Sequence, residues 1–318
     1  MKPVEAAGKV NYFLDAAIPV LTPFGVILGV IFPGVLINIR PFIPWLFGTI
    51  TLAGALRLRA REMRKAASSP LPLLYFFISA HVLMPLVVFF ITRLIFSHDH
   101  DTVAGYVLLY SIPTAVTAFI WITIYHGDRA LSLTIILLDT ILAPLVVPGT
   151  VKLLLRTSVS LDMTGMALSL VFMILLPTIL GIALNELSQG KIPSLVSPYL
   201  NPLSKVSMVL VIAANTAAVA PQINLDNPRL LPVSAVCIGL STLGFLCGKL
   251  TGLITKNQPK KEITLLFACG LRNTSAAMTL GIEFFPPAAA LPSVLGIIFQ
   301  QTIAAIMSRI FYGKINKK

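Results

Sequence analysis

Gly270-Leu271-Arg272-Asn273-Thr274-Ser275 stands in the middle of an apolar run over residues 262–284. The run is long enough to cross hydrocarbon as a helix, which takes about 20 residues, yet an arginine occupies its centre. An Arg at bilayer depth costs roughly 2.5–3.5 kcal/mol on insertion scales, so Arg272 is expected to face a cavity or a carboxylate. The Gly, Asn, Thr and Ser around it suit an unwound segment, whose free amides and carbonyls can bind a ligand. The stretch reads as a broken transmembrane helix that carries a functional charge.

Nine further apolar runs surround it, near 14–33, 40–56, 70–96, 102–125, 130–155, 163–187, 203–223, 230–254 and 288–311. Across 318 residues the hydrophobic share is 56% and the charged share 11%, against about 25% charged in soluble domains. Too few charges remain to coat a water-facing surface, so lipid is the solvent. In lipid the backbone must satisfy itself, which leaves helices or closed barrels. Continuous runs without alternation select helices. The fold class is therefore an all-α polytopic membrane protein with about ten transmembrane helices, forming a single membrane unit over 1–318.

The net charge of +12 sits in short loops, as a topology signal rather than a nucleic-acid surface. Arg57, Arg59, Arg61, Arg64 and Lys65 follow the second run. Lys256, Lys260 and Lys261 follow the eighth, and Lys314, Lys317 and Lys318 end the chain. The loop His98-Asp99-His100-Asp101 after the third run is not basic. With ten spans all basic segments share one side, which places both termini in the cytoplasm of a multi-pass protein of the cell (inner or plasma) membrane. Met1–Val10 shows no cleavage-site pattern of a signal peptide. Cys237, Cys247 and Cys269 lie inside apolar runs without metal spacing, so neither a disulfide framework nor a metal site is expected.

A weak internal repeat is present. Leu108-Leu109-Tyr110-Ser111-Ile112-Pro113 parallels Leu265-Leu266-Phe267-Ala268-Cys269-Gly270, and Asp139-Thr140-Ile141 parallels Gln301-Thr302-Ile303. The repeats cover about 14–155 and about 163–311. Five spans is an odd number, so a five-plus-five repeat is inverted across the membrane. Inverted repeats with interrupted helices at matching positions are the signature of secondary transporters. The breaks fall in spans four and nine.

Several other residues join Arg272 as candidates. Asp139 lies mid-run in the fifth span and is the expected partner of Arg272. Loss of that pair would favour a proton on Asp139, since burial disfavours the charged carboxylate. His81 in the third span reads as a proton relay or as a hydrogen-bonding core residue. Pro113 and Thr114, with Thr117 three residues on, mark the break in the fourth span. Asn215-Thr216 and Gln300-Gln301-Thr302 either line a cavity or bond between helices, with Gln301 taken as the binding candidate. Gly25 and Gly29 form a GxxxG pattern for close helix packing. No nucleophile elbow, HExxH or Walker loop is present, so neither an enzyme nor an ATP-driven pump is expected, and no cofactor.

These residues lead to a resemblance. Gly127-Asp128-Arg129-Ala130-Leu131-Ser132 with Thr140, Pro144 and Pro148, Thr51-Leu52-Ala53-Gly54-Ala55-Leu56 with the basic loop and Ser69-Pro70 after it, and Gly270-Leu271-Arg272-Asn273 together resemble the bile acid:sodium symporter family. The resemblance implies a ten-helix fold with panel and core domains. It implies that the fourth and ninth helices cross at their breaks near a substrate cavity, and that organic anions are moved with sodium. The family's sodium-ligand pattern matches here only at Ser132 and Asn273. The other positions carry Ala80, Ala118-Phe119, Ile136, Ala268 and Arg272, and side-chain oxygens are what bind a hard cation. The expected function is thus secondary transport of a small organic anion by alternating access, with Arg272 replacing bound sodium and a proton, or no ion, as co-ion. The alternatives are an efflux permease of the related auxin-carrier type, and a receptor or structural subunit that does not transport.

Overall fold

The computed structural model describes residues 14, 21–58, 70–155, 162–223, 226–255 and 258–313. The basic residues Arg59, Arg61, Arg64, Lys65, Lys256, Lys314, Lys317 and Lys318, together with Met1–Val10 and Ser69, lie outside the described residues. Within them the chain is helical throughout, with one isolated β-bridge and no strand. Its helices are α1 (Leu21–Ile31), α2 (Pro33–Ala55), α3 (Pro70–Ile95), α4 (His100–Ser111), α5 (Thr117–Ile124), α6 (Arg129–Leu155), α7 (Met163–Leu187), α8 (Lys191–Ile223), α9 (Leu230–Ile254), α10 (Pro259–Gly270), α11 (Thr274–Phe284) and α12 (Pro287–Tyr312). Seven of them, α2, α3, α6, α7, α8, α9 and α12, are long and apolar enough to cross a membrane. Their outer faces carry side chains that water would not tolerate in such number. Trp45, Leu94, Leu145 and Leu187 are between 74% and 86% exposed, as expected where lipid is the solvent.

The apolar runs over 102–125 and 262–284 are each divided into two half-helices. The first is interrupted between Ser111 and Thr117 and the second between Gly270 and Thr274, as the Pro113 and Gly270–Ser275 signals predict. Two boundaries differ from the sequence reading. The second run begins at Pro33 rather than 40, because Pro33 starts a short turn that leads through a 3-10 segment, Ile37–Phe42, into the helix proper. The seventh run begins at Lys191 rather than 203. The proline-rich stretch up to Pro202 is helical, starting after left-handed Gly190 (φ 85°) and carrying Pro198 and Pro202 inside the helix. A proline removes one donor from the ladder and kinks the helix, and here it does so without ending it.

Two helices contain a π-helical turn just before a proline: Ile78–Leu83 before Pro85, and Val171–Leu175 before Pro177. The proline cannot donate to the carbonyl four residues back, so the ladder slips by one residue there. In α3 the slip has Met84 donating five residues back, to Ser79 O, so the carbonyl that Pro85 leaves without a donor is that of Ala80.

The chain packs as two compact units, one made of Met1–Ala60 and Leu168–Ile223, the other of Arg61–Ala167 and Asn224–Lys318. In the first, the GxxxG of α1 meets α8. A methyl on Gly29 would lie 2.5 Å from the Ala213 carbonyl oxygen and 2.6 Å from Thr216 Cβ, so only glycine permits the approach. Asn185 Nδ2 donates to Leu58 O at 2.8 Å and fastens α7 to the end of α2.

In the second unit, Gly244, Gly248 and Gly252 recur every four residues along α9 and face α10. A methyl on Gly248 would meet Leu265 O at 2.5 Å and Leu266 Cα at 2.8 Å. The half-helix α10 is thereby pressed against α9, and Phe245, Leu266, Phe267 and Leu271 pack with Ala118 and Ile122 of α5 and Ile303 and Ala304 of α12. Lys249 pairs with Glu262, lies over the rings of Phe311 and Tyr312, each at 4.9 Å, and so closes one end of this packing. The loop motifs act as caps. Asp99 accepts from the Thr102 amide at 3.2 Å at the start of α4, and Asp128 accepts from the Leu131 amide at 3.0 Å at the start of α6, both satisfying orphan donors of a first turn.

Candidate functional site

The breaks between α4 and α5 and between α10 and α11 meet in the second unit. Thr114 and Arg272 form an antiparallel β-bridge. The Ala115 amide donates to Leu271 O at 3.0 Å and the Asn273 amide to Pro113 O at 2.9 Å. Two stretches that leave the helical ladder thus satisfy each other. The other amides are also used. The Thr114 amide donates to Asp139 Oδ2 at 2.8 Å, the Arg272 amide to Gln300 Oε1 at 3.1 Å, and the Thr274 amide to Arg272 O at 2.8 Å. The expectation of free backbone amides at the break is therefore corrected, because pairing between the two segments and with α6 and α12 has consumed them.

The donors left over belong to side chains. Arg272 is 1% exposed. Its Nη2 donates to Ala80 O at 2.8 Å and its Nη1 to Ile112 O at 3.3 Å, while Nε has no partner. Gln300, whose oxygen accepts from the Arg272 amide, keeps Nε2 unpartnered and buried.

Asp139, also 1% exposed, has a close neighbour other than the expected one. His81 Nε2 stands 2.7 Å from Asp139 Oδ1, the spacing of a charge-assisted hydrogen bond. The ring is not aligned for a regular hydrogen bond, and both Nε2 and Nδ1 are buried without a hydrogen-bond partner. Arg272 is held instead by two carbonyls that proline or unwinding has freed from the helical ladder.

The sequence of this chain matches the model of the Sodium Bile acid symporter family over residues 44–224. The chain belongs to that family. Relatives with matching sequence include the uncharacterized protein YbaS of Bacillus subtilis, 36% identical over 91% of this chain and 94% of the relative. The uncharacterized sodium-dependent transporter YocS of the same organism is 24% identical over 98% and 95%. The probable chloroplastic sodium/metabolite cotransporter BASS1 of Arabidopsis thaliana is 25% identical over 97% and 75%. With the apolar helices of the fold, this makes the chain a multi-pass membrane transporter of the symporter family.

Within this family member the positions named by the resemblance are built in a particular way. Asn273 Oδ1 accepts from the Ala276 amide at 3.2 Å and so caps α11. Ser132 is buried on α6, two helical turns before Asp139 and on the same face. Ala80 and Ala268 offer only carbonyls, taken by Arg272 Nη2 and by Thr114 Oγ1 at 2.8 Å each. Thr117 and Gln301 belong to a separate contact. Gln301 Nε2 donates to Thr117 Oγ1 at 3.3 Å and Gln301 Oε1 accepts from Trp121 Nε1 at 2.9 Å, which ties α5 to α12.

The structure thus gathers Pro113, Thr114, Asp139, His81, Arg272 and Asn273 at the crossing and sets Gln301 and Thr117 aside. The residue of α12 that reaches Arg272 is Gln300. The signal for it was helical spacing, since Ser293, Gly296 and Gln300 fall on one buried face. A surface groove lined by Pro70, Tyr75, Thr255, Gln258 and Lys261 shares no residue with this cluster.

Proposed function

We propose that this symporter-family member carries a small organic anion by alternating access, with the Arg272 guanidinium standing in the place of bound sodium. The observation that carries the reading is a fully buried guanidinium with a free Nε, beside a free amide nitrogen of Gln300, and with no carboxylate in direct contact among the described residues. A buried cation needs a compensating anion or a dense set of acceptors. Two carbonyls compensate it in part, and Asp139 is already engaged by His81. An incoming carboxylate completes the set. Sodium is disfavoured because Asn273 spends its oxygen on a helix cap and, Ser132 apart, the remaining positions supply no side-chain oxygen.

Further support for a transporter architecture comes from addition. Seven long helices, two broken pairs and α1 make ten spans, and the antiparallel bridge between the breaks suits two half-chains of opposite orientation. The basic loops then place both termini in the cytoplasm.

The test is counterflow in liposomes with a panel of carboxylates, imposing sodium and proton gradients separately. The expected result is exchange at equal rates in sodium and in choline buffer. Sodium-stimulated uptake that is abolished by changing Ser132 or Asn273 would refute the replacement of sodium by Arg272. A second reading draws on the same carbonyl bonds: Arg272 as a staple joining α3 to both breaks in a protein that does not transport. A cysteine placed at Thr117 or Asn273 decides it. Protection by substrate that switches sides supports a carrier, and permanent inaccessibility supports the staple.

A further inference from the structure

We infer that His81 carries the proton co-transported with the anion, and that the pair His81–Asp139 is the coupling site of the carrier. The inference rests on the anion-carrier reading above and names its co-ion.

Charge balance links proton and anion. With a neutral His81 ring the buried cluster holds Arg272 (+1) and Asp139 (−1) and is neutral. A monovalent anion bound to Arg272 leaves it at −1, and a proton on His81 restores neutrality. In a low-dielectric interior an uncompensated charge costs several kcal/mol, so the proton and the anion stabilise each other. Such coupling is reciprocal.

Position links them as well. His81 Nε2 lies 2.7 Å from a carboxylate oxygen, yet neither ring nitrogen has a hydrogen-bond partner, so the neutral ring keeps a lone pair open to an incoming proton. Nδ1 is buried and unpartnered. The ring sits in the π-turn Ile78–Leu83, one residue after the carbonyl that Pro85 leaves without a donor and that Arg272 Nη2 takes up. Such turns recur at functional sites. On protonation the ring strengthens its hold on Asp139 Oδ1. The other carboxylate oxygen receives the Thr114 amide, and Thr114 is bridged to Arg272. Four neighbours therefore connect the proton to the anion.

The charged and titratable groups facing this pair are few. Arg272 comes from the second break, and Cys269 of α10 is close to both Arg272 and Asp139. Cys247 of α9 meets Ser79 at 3.0 Å, two residues from His81. Tyr110 of α4 lies near Arg272, with its hydroxyl bonded to Ser241 at 3.3 Å. Phe76 and Phe77 pack on the ring at 6.0 and 5.8 Å. Histidine is the side chain among these whose ordinary titration range falls near neutral pH.

The experiment uses the full chain in liposomes loaded with a pH dye, with labelled glycolate, gluconate and isethionate as probes. The expected result is exchange of a probe and, under an inward gradient of it, acidification of the lumen with one proton per anion. Exchange without acidification overturns the inference and leaves the anion carrier standing. The absence of exchange with every probe overturns the anion carrier and the inference with it. His81→Gln should carry fewer protons per anion exchanged, whatever its rate of exchange, and a variant that keeps one proton per anion overturns the inference.

Should the variant exchange nothing, the ring itself decides. With His98, His100 and His126 replaced, His81 is the remaining one of the four histidines, and its ring can be titrated by 15N resonance. A transported probe should move the midpoint upward, by about one pH unit for tenfold coupling, which lies in the usual range for linked sites. A midpoint that stays in place overturns the inference.

Discussion

Arg272→Gln is expected to cut anion exchange by about 100-fold or more, while the protein still inserts and elutes as a single species. The change removes the fixed charge and the fork of donors together. Hydrogen bonds to charged groups are worth roughly 1.5–3 kcal/mol each, and two of them, to Ala80 O and Ile112 O, are lost or weakened along with the contact to the transported anion. A 100-fold loss requires about 2.7 kcal/mol, which the anion contact alone can supply. Arg272→Lys separates the two contributions. It retains the charge but not the planar geometry, so it should recover part of the exchange and little of the stability. The measurement is counterflow normalised to protein inserted, with thermal unfolding in detergent beside it. Exchange at the parental rate in Arg272→Gln would show that no anion rests on this guanidinium.

The second large effect concerns folding. Gly248→Val is expected to prevent the second unit from assembling. Already the first carbon of any side chain would lie 2.5 Å from Leu265 O and 3.0 Å from Cys269 Cβ. Both belong to a helix that cannot bend away, because its other side is packed against α5 and α12. Ordinary overpacking costs about 1–3 kcal/mol. Here backbone meets a β-branched side chain, and the separation of α9 from α10 would also open the packing that holds Leu271 beside the bridge. Gly239, which has nothing within 4 Å of its missing methyl, is the control: Gly239→Ala should leave the melting temperature unchanged. The check is yield and monodispersity of the two variants made side by side. Stable, monodisperse Gly248→Val protein would mean that the close contact is dispensable.

The sequence announces the fold through its charges more than through its apolar residues. The run around Arg272 shows that a helix must be broken, and Pro113 marks the second break. The basic loops suggest a direction for the spans. What could not be read was which polar groups would find each other. Asp139 and Arg272 are natural partners by charge, but a π-turn forms ahead of Pro85, the Ala80 carbonyl is left without a donor, and the His81 ring lies next to Asp139. The Arg then takes carbonyls at Ala80 and Ile112, backbone groups that no side-chain pattern reports. Gln300 and Gln301 are neighbours in sequence and one is as polar as the other. The direction of α12 turns Gln300 to Arg272 and Gln301 to Trp121, a difference of about 100° that follows from helical geometry once the facing helix is known. The glycine series Gly244, Gly248 and Gly252 is not singled out by the sequence reading, because a spacing of four along an apolar run does not name the helix it faces.

The rung between Thr114 and Arg272 has a consequence for time rather than for affinity. A non-helical stretch in the middle of a span would ordinarily trade its amide protons with water faster than the helices around it. Here the amides of Thr114, Ala115, Arg272 and Asn273 all donate within the protein. In deuterated buffer these four should be among the last to exchange, and they should exchange together, since one opening event releases both breaks. The rate of that event would set an upper bound on how often the two interrupted helices can part company. A transport cycle faster than this clock has to carry them across as one piece.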